Sequence, residues 1–123
     1  MTDSALNFVD PDNPTADEVR RWAYTPDADF PHEEWDLVVS LCPYDDVFLE
    51  CAADVDCPGQ RCMLGVLYVI VGDSIRSNFY MRDRSSIESL IAKADGHSSC
   101  AISRWQQRSR DLLKNPDSFD YDL

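Results

Sequence analysis

The sequence predicts an all-α fold: a single domain of about six helices, an orthogonal bundle or a short stack of helical hairpins. A central buried helix is placed near residues 60–75. Three observations carry this reading. Apolar residues recur at i, i+3, i+4 and i+7, as Trp35, Val38, Val39 and Cys42 do. Helix-start signals, a Thr, Ser or Asp with an acid close behind, stand before such stripes. Prolines and glycines cut the chain into helix-length pieces, with no hairpin signal between them. At 123 residues, 44% of them apolar, the chain is long enough to bury one core without metal or disulfide staples.

Residues 1–14 read as an irregular segment, because Asp10-Pro11 and Asn13-Pro14 are turn dipeptides. Thr15-Ala-Asp-Glu18 fits a capping box and opens a first helix with Val19, Trp22 and Ala23 on one face, ending near Thr25-Pro26. Pro31 opens the second helix and Pro43 closes it, with Glu33, Glu34 and Asp36 favouring its positive end. Asp45 or Asp46 is expected to cap a short third helix carrying Val47, Phe48, Cys51 and Ala52. Pro58-Gly59 then breaks the chain.

The stretch from Gln60 to Ile75 is apolar nearly all round, which marks a buried helix. A buried strand competes there, since Val66 to Val71 is rich in β-formers, but the length favours helix. Ser85 with Glu88 fits a second capping box, ahead of Ile87, Leu90 and Ile91, and Gly96 is the expected C-cap. Ser98 or Ser99 starts the last helix, whose inward residues are Ile102, Trp105, Ser109 and Leu112. The tail 117–123 alternates acids with Phe119, Tyr121 and Leu123.

Three cysteines crowd into CAADVDCPGQRC, residues 51–62, yet no Cys-x-x-Cys pair occurs in the chain and His32 and His97 lie far off. Core thiols are the favoured reading, with a metal site and a disulfide as alternatives. His32 and Asp36 fall short of a zinc-protease helix, which needs a second histidine where Asp36 stands. His97 and Cys100 lack an orienting third group, and Cys100 reads as a core thiol. The glycines form no phosphate loop. No enzyme activity, cofactor or metal is therefore expected.

Charge is the strongest functional signal. The net charge is −12, and it is uneven: residues 1–60 hold fifteen acids and two bases, residues 61–123 eight acids and nine bases. An acidic half-chain repels nucleic acid and anionic lipid and attracts basic protein surfaces. The bases of the second half (Arg76, Arg82, Arg84, Arg104, Arg108, Arg110, Lys114) are expected to pair with those acids or stay solvated. The first residues carry no secretory pattern, and the longest apolar run, Met63–Val71, spans nine residues against roughly twenty for a membrane helix. A cytoplasmic protein with reduced thiols is expected, with no nucleic acid and no membrane among its partners.

In size, acidity and lack of a catalytic motif the chain resembles the small cytosolic immunity proteins that bacteria pair with secreted toxins. That resemblance implies a non-catalytic inhibitor that binds and blocks a cognate toxin; it carries no residue assignments. The acids and interleaved aromatics themselves point to a basic protein partner. The expected contact residues are Tyr24, Asp27, Asp29, Phe30, Glu33, Glu34, Asp36, Asp45 and Asp46, with Tyr24 and Phe30 as anchors and Trp22 and Trp35 turned to the core. A DNA-mimic inhibitor and a cysteine-based metal or redox sensor are the alternatives.

Overall fold

The structure, a computed structural model, describes residues 8–10, 12–29, 35–80 and 82–116; the Asp36 side chain also falls outside that description. The tail and the expected helix opening at Pro31, Glu33 and Glu34 lie outside it too. All regular structure among the described residues is helical: α1 (Ala16–Ala23), α2 (Trp35–Ser40), α3 (Asp45–Ala53), α4 (Gln60–Arg76), α5 (Arg84–Lys93) and α6 (Cys100–Lys114). A 3₁₀ turn, Ala94–Gly96, follows α5.

Helix α1 starts as its sequence dictates. Thr15 Oγ1 accepts from the Glu18 amide at 3.1 Å, and Glu18 Oε1 accepts from the Thr15 amide at 2.8 Å. The same carboxylate accepts from the Val9 amide at 3.1 Å. These bonds favour the anion, led by the one to Thr15, and hold the Glu18 pKa below the ordinary carboxylate value. Val19, Trp22 and Ala23 are buried beneath.

Helix α4 is the centre of the bundle and touches every other helix. Its run from Met63 to Val71 is helix, not strand, because a segment this apolar needs partners on several sides and here finds α2, α3 and α6. Trp35 and Val39 of α2, Phe48 and Leu49 of α3, Ile87 and Leu90 of α5, and Ile102 and Trp105 of α6 join it in one continuous core.

Helices α1 and α3 run parallel, in a register that three side-chain bonds record. The Tyr44 hydroxyl donates to the Pro14 carbonyl at 2.8 Å, Arg20 holds Glu50 through two bonds of 3.1 Å, and the Tyr24 hydroxyl donates to Asp54 Oδ2 at 2.8 Å. Each pair is 30 residues apart in sequence. A constant offset with both chains advancing together is possible only for parallel helices.

Several local expectations are corrected. Tyr44, not Asp45 or Asp46, is the N-cap of α3; its hydroxyl is engaged by Pro14, and the two aspartates occupy the first turn instead. Asp83 caps α5 through the Ser86 amide at 2.8 Å, which places Ser85 inside the helix. Gly96 belongs to the 3₁₀ turn, and Ala94 is the C-cap of α5. Cys100 is exposed rather than part of the core, while Cys42 and Cys62 are half-buried. Ser99 caps α6, and Ile102, Trp105, Ser109 and Leu112 are all buried as expected.

Helix α4 ends in a Schellman motif that sequence reading missed. Asn78 takes φ 55°, its amide bonds the Ile75 carbonyl at 3.1 Å, and the Phe79 amide bonds the Ser74 carbonyl at 2.6 Å. Asparagine is the one common non-glycine residue for that left-handed position, and that was the available signal.

Candidate partner-binding face

Two loops meet at one end of the α1–α3 pair. The first, Tyr24 to Asp29, leaves α1; the second, Asp54 to Gly59, joins α3 to α4. Ala23 binds them together. Its carbonyl, the last of α1, accepts from the Gly59 amide at 2.8 Å and from the Cys57 thiol at 3.3 Å. Gly59 is required here because of close approach: a Cβ at this position would stand 2.9 Å from both Cα and O of Ala23.

Each loop is also braced internally. Asp54 Oδ1 accepts from the Asp56 amide at 2.9 Å, while its Oδ2 takes the Tyr24 hydroxyl. Trp22, buried, donates its indole N–H to the Asp29 carbonyl at 3.0 Å and so fixes the course of the first loop. Asp27 sits at φ 57°, a left-handed conformation that aspartate tolerates better than most residues. Exposed on this end are Asp27, Asp29, Val55, Asp56 and Pro58. Tyr24 is at the border, 38% exposed.

Many acids elsewhere are ion-paired, although Asp10, Asp83 and Asp111 also lack a cation within ion-pair distance among the described residues. Glu50 pairs with Arg20, Asp73 with Arg76, Glu88 with Arg84 and Asp95 with Arg110. Asp27, Asp29, Asp54 and Asp56 have no cation within ion-pair distance among the described residues. Four carboxylates without an ion-pair partner among the described residues therefore stand on two loops that are tied to each other.

Asp45 and Asp46 are not part of that end. They lie at the opposite end of α3, about 13 Å away at 1.5 Å per residue. Asp45 is paired with Arg82, which also donates Nε–H to Ser86 Oγ at 2.6 Å, and Asp46 with Lys93 at 3.3 Å. These pairs line a cleft of about 320 Å³ between the α2–α3 connection, α4 and α5. Its cations are consumed by its own acids, as sequence reading expected of the second-half bases. Phe30, Glu33 and Glu34 lie outside the described residues, as does the side chain of Asp36. Of the expected contact residues, the structure thus brings together Tyr24, Asp27 and Asp29, and adds Asp54, Val55, Asp56 and Pro58. The signal for these four was the acidic stretch Asp54-Val-Asp56-Cys-Pro58 itself.

The cysteines beneath this end are core thiols. Cys51 and Cys57 are buried, and the Cys57 thiol donates to the Ala23 carbonyl at 3.3 Å. Burial, more than any neighbouring charge, pushes the Cys51 thiol up to about 12, and burial likewise raises Cys57. Since the thiolate is the reactive form, both are held in the unreactive state. All five cysteines are free. Among the described residues no group of three or more His, Cys, Asp or Glu side chains is placed to hold a metal ion, and no helix is long and apolar enough to cross a membrane.

The bond to Asp54, and secondarily burial, raises the Tyr24 phenol pKa well above the ordinary tyrosine value. Because the folded pKa is raised, this bond contributes stability at and below the ordinary tyrosine range and is lost as pH climbs through the shifted value. Replacing Asp54 with asparagine is expected to bring the Tyr24 titration back toward about 10. The difference ultraviolet titration between each protein and its Tyr24→Phe partner measures this; an unchanged midpoint would show that Asp54 is not the cause.

No protein-family model, curated protein or solved structure matches this chain.

Proposed function

We propose that this is a non-catalytic, cytoplasmic protein-binding domain of the immunity type, which covers a basic protein partner, a toxin in the most specific version, with the acidic end of the α1–α3 pair. The observation that supports the reading is the contrast in pairing. Acids along α3 and α5 are neutralised by bases of the same chain, whereas Asp27, Asp29, Asp54 and Asp56, which have no cation within ion-pair distance among the described residues, stand together on two loops joined by the Gly59–Ala23 bond. Clustered, uncompensated charge steers an oppositely charged partner and sets specificity, while neighbouring apolar surface (Tyr24, Val55, Pro58) offers contacts that exclude water.

The DNA-mimic alternative has less support, because the carboxylates that would extend the charge along α3, those of Asp45, Asp46 and Glu50, are each occupied by a base. A thiol-based sensor would need a reactive thiolate, and the Cys51–Cys57 pair is buried with raised pKa values.

Capture of partners from the source cytosol, followed by kinetics on the Asp29→Lys/Asp56→Lys double variant, tests the proposal. Both side chains are exposed, so the melting temperature should hold. Association with the captured basic protein should slow by about tenfold or more and lose much of its salt dependence. Recovery of no basic protein, or an unaltered association rate in the double variant, would overturn it.

A further inference from the structure

We propose that the gap between the two loops is a socket for one long basic side chain, arginine or lysine, presented by a protein partner; the inference rests on the basic-partner reading above. The gap has a volume of about 270 Å³. That is below the roughly 300–1,000 Å³ of pockets that enclose a whole small-molecule ligand, and suits a single inserted side chain.

Its lining offers such a side chain both polar and apolar atoms. Trp22, Ala28, Pro58 and Cys62 contribute its apolar atoms, the smaller share of the lining, and the exposed Asp27 is among the lining residues. Arginine and lysine combine an aliphatic stem with a charged head, so both kinds of lining atom have a counterpart in such a guest. Thr25 also lines the gap; its hydroxyl donates to the Arg21 carbonyl at 2.7 Å, so its oxygen remains an acceptor for a cationic N–H. Among the described residues Asp27 has no cation within ion-pair distance, and Asp29 and Asp56 stand on the same two loops. An anionic guest would meet uncompensated negative charge, and a purely apolar one would leave Asp27 unused.

The gap is also held open before any guest arrives. Its two sides are tied by the Gly59–Ala23 bond of 2.8 Å and the Tyr24–Asp54 bond of 2.8 Å, so no loop must be ordered on entry. Asp27 itself holds the left-handed backbone conformation of the first loop, at φ 57°.

The probes are N-acetyl-arginine amide and N-acetyl-lysine amide, titrated into the whole protein and followed by amide and indole nuclear magnetic resonance shifts. The neutral controls are N-acetyl-citrulline amide and N-acetyl-norleucine amide. Saturable shifts are expected at Thr25, Asp27, Ala28, Gly59 and the Trp22 indole, with each cation bound about threefold to fivefold more tightly than its neutral control, as for a solvent-exposed ion pair. Asp27→Asn, which keeps the left-handed backbone, should reduce that ratio to about one, whereas Asp46→Asn at the other end of α3 should leave it unchanged. Equal binding of cation and control, shifts scattered over the acidic surface, absence of saturable shifts, or an Asp27→Asn protein that still discriminates would each overturn the socket. Failure of the wider reading is separable: the amides would still bind here though no basic protein is captured. Conversely, a captured basic partner that binds Asp27→Asn as tightly as the parent would remove the socket alone.

Discussion

Trp35→Ala is expected to destabilise the protein by about 3–5 kcal/mol, the range for deleting a fully buried aromatic, and to lower Tm by roughly 10–20 °C. Trp35 is completely buried, with ring centroids 4.8 Å from Trp22 and 5.2 Å from Phe8. Truncation would leave a void bounded by α1, α2 and α4, whose backbones are fixed by other contacts and can collapse only in part. Helix α2 spans just six residues, so little besides Trp35 and Val39 holds it to the core. Denaturant unfolding followed by circular dichroism measures the loss; a change under about 1.5 kcal/mol would mean that the site closes without strain.

Gly59→Ala is expected to be the second most costly change and the more informative one. Its backbone, at φ −91°, suits alanine, and in the unfolded chain alanine would save about 0.4–1 kcal/mol of entropy. Against this stands a methyl group placed 2.9 Å from backbone atoms of Ala23, which no side-chain rotation relieves. Overpacking of this kind costs about 1–3 kcal/mol, and the shift needed to relieve it lengthens the Gly59–Ala23 bond, so a net loss of about 1–2 kcal/mol should follow. The same shift would spread the two loops. Calorimetry with partner binding should therefore show affinity falling together with stability, whereas an Ala substitution at Gly65, which has open space around it, should leave binding intact.

The elements that sequence reading placed well are those defined by one repeating face. Ile102, Trp105, Ser109 and Leu112 of α6, or Val19 and Trp22 of α1, announce a buried stripe through spacing alone. What it placed poorly are choices settled by contacts from elsewhere. Ser85 with Glu88 and Asp83 with Ser86 are both plausible caps two residues apart, and Asp83 is the one the folded α5 uses. The fate of each acid was hidden for the same reason. Arg82 reaches Asp45 across 37 residues and Lys93 reaches Asp46 across 47, so charge density along the chain gave no sign that either is ion-paired. Asp27 and Asp29 were legible because only Arg20 and Arg21 are near in sequence, and Arg20 is turned toward Glu50. That Asp54 and Asp56 join them follows from the parallel pairing of α1 with α3, which neither helix carries in its own pattern.

That pairing has a kinetic side. Bringing Pro14 to Tyr44 closes a loop of 30 residues, an entropic cost met before any contact rewards it. Because Arg20–Glu50 and Tyr24–Asp54 keep the same separation, neither closes a longer loop; each adds its bond on a chain already joined. The three contacts thus form and break as a zipper with a slow first tooth. Any of the three can be that tooth, and the one at the acidic loops, Tyr24 with Asp54, is backed by the Gly59–Ala23 bond of 2.8 Å.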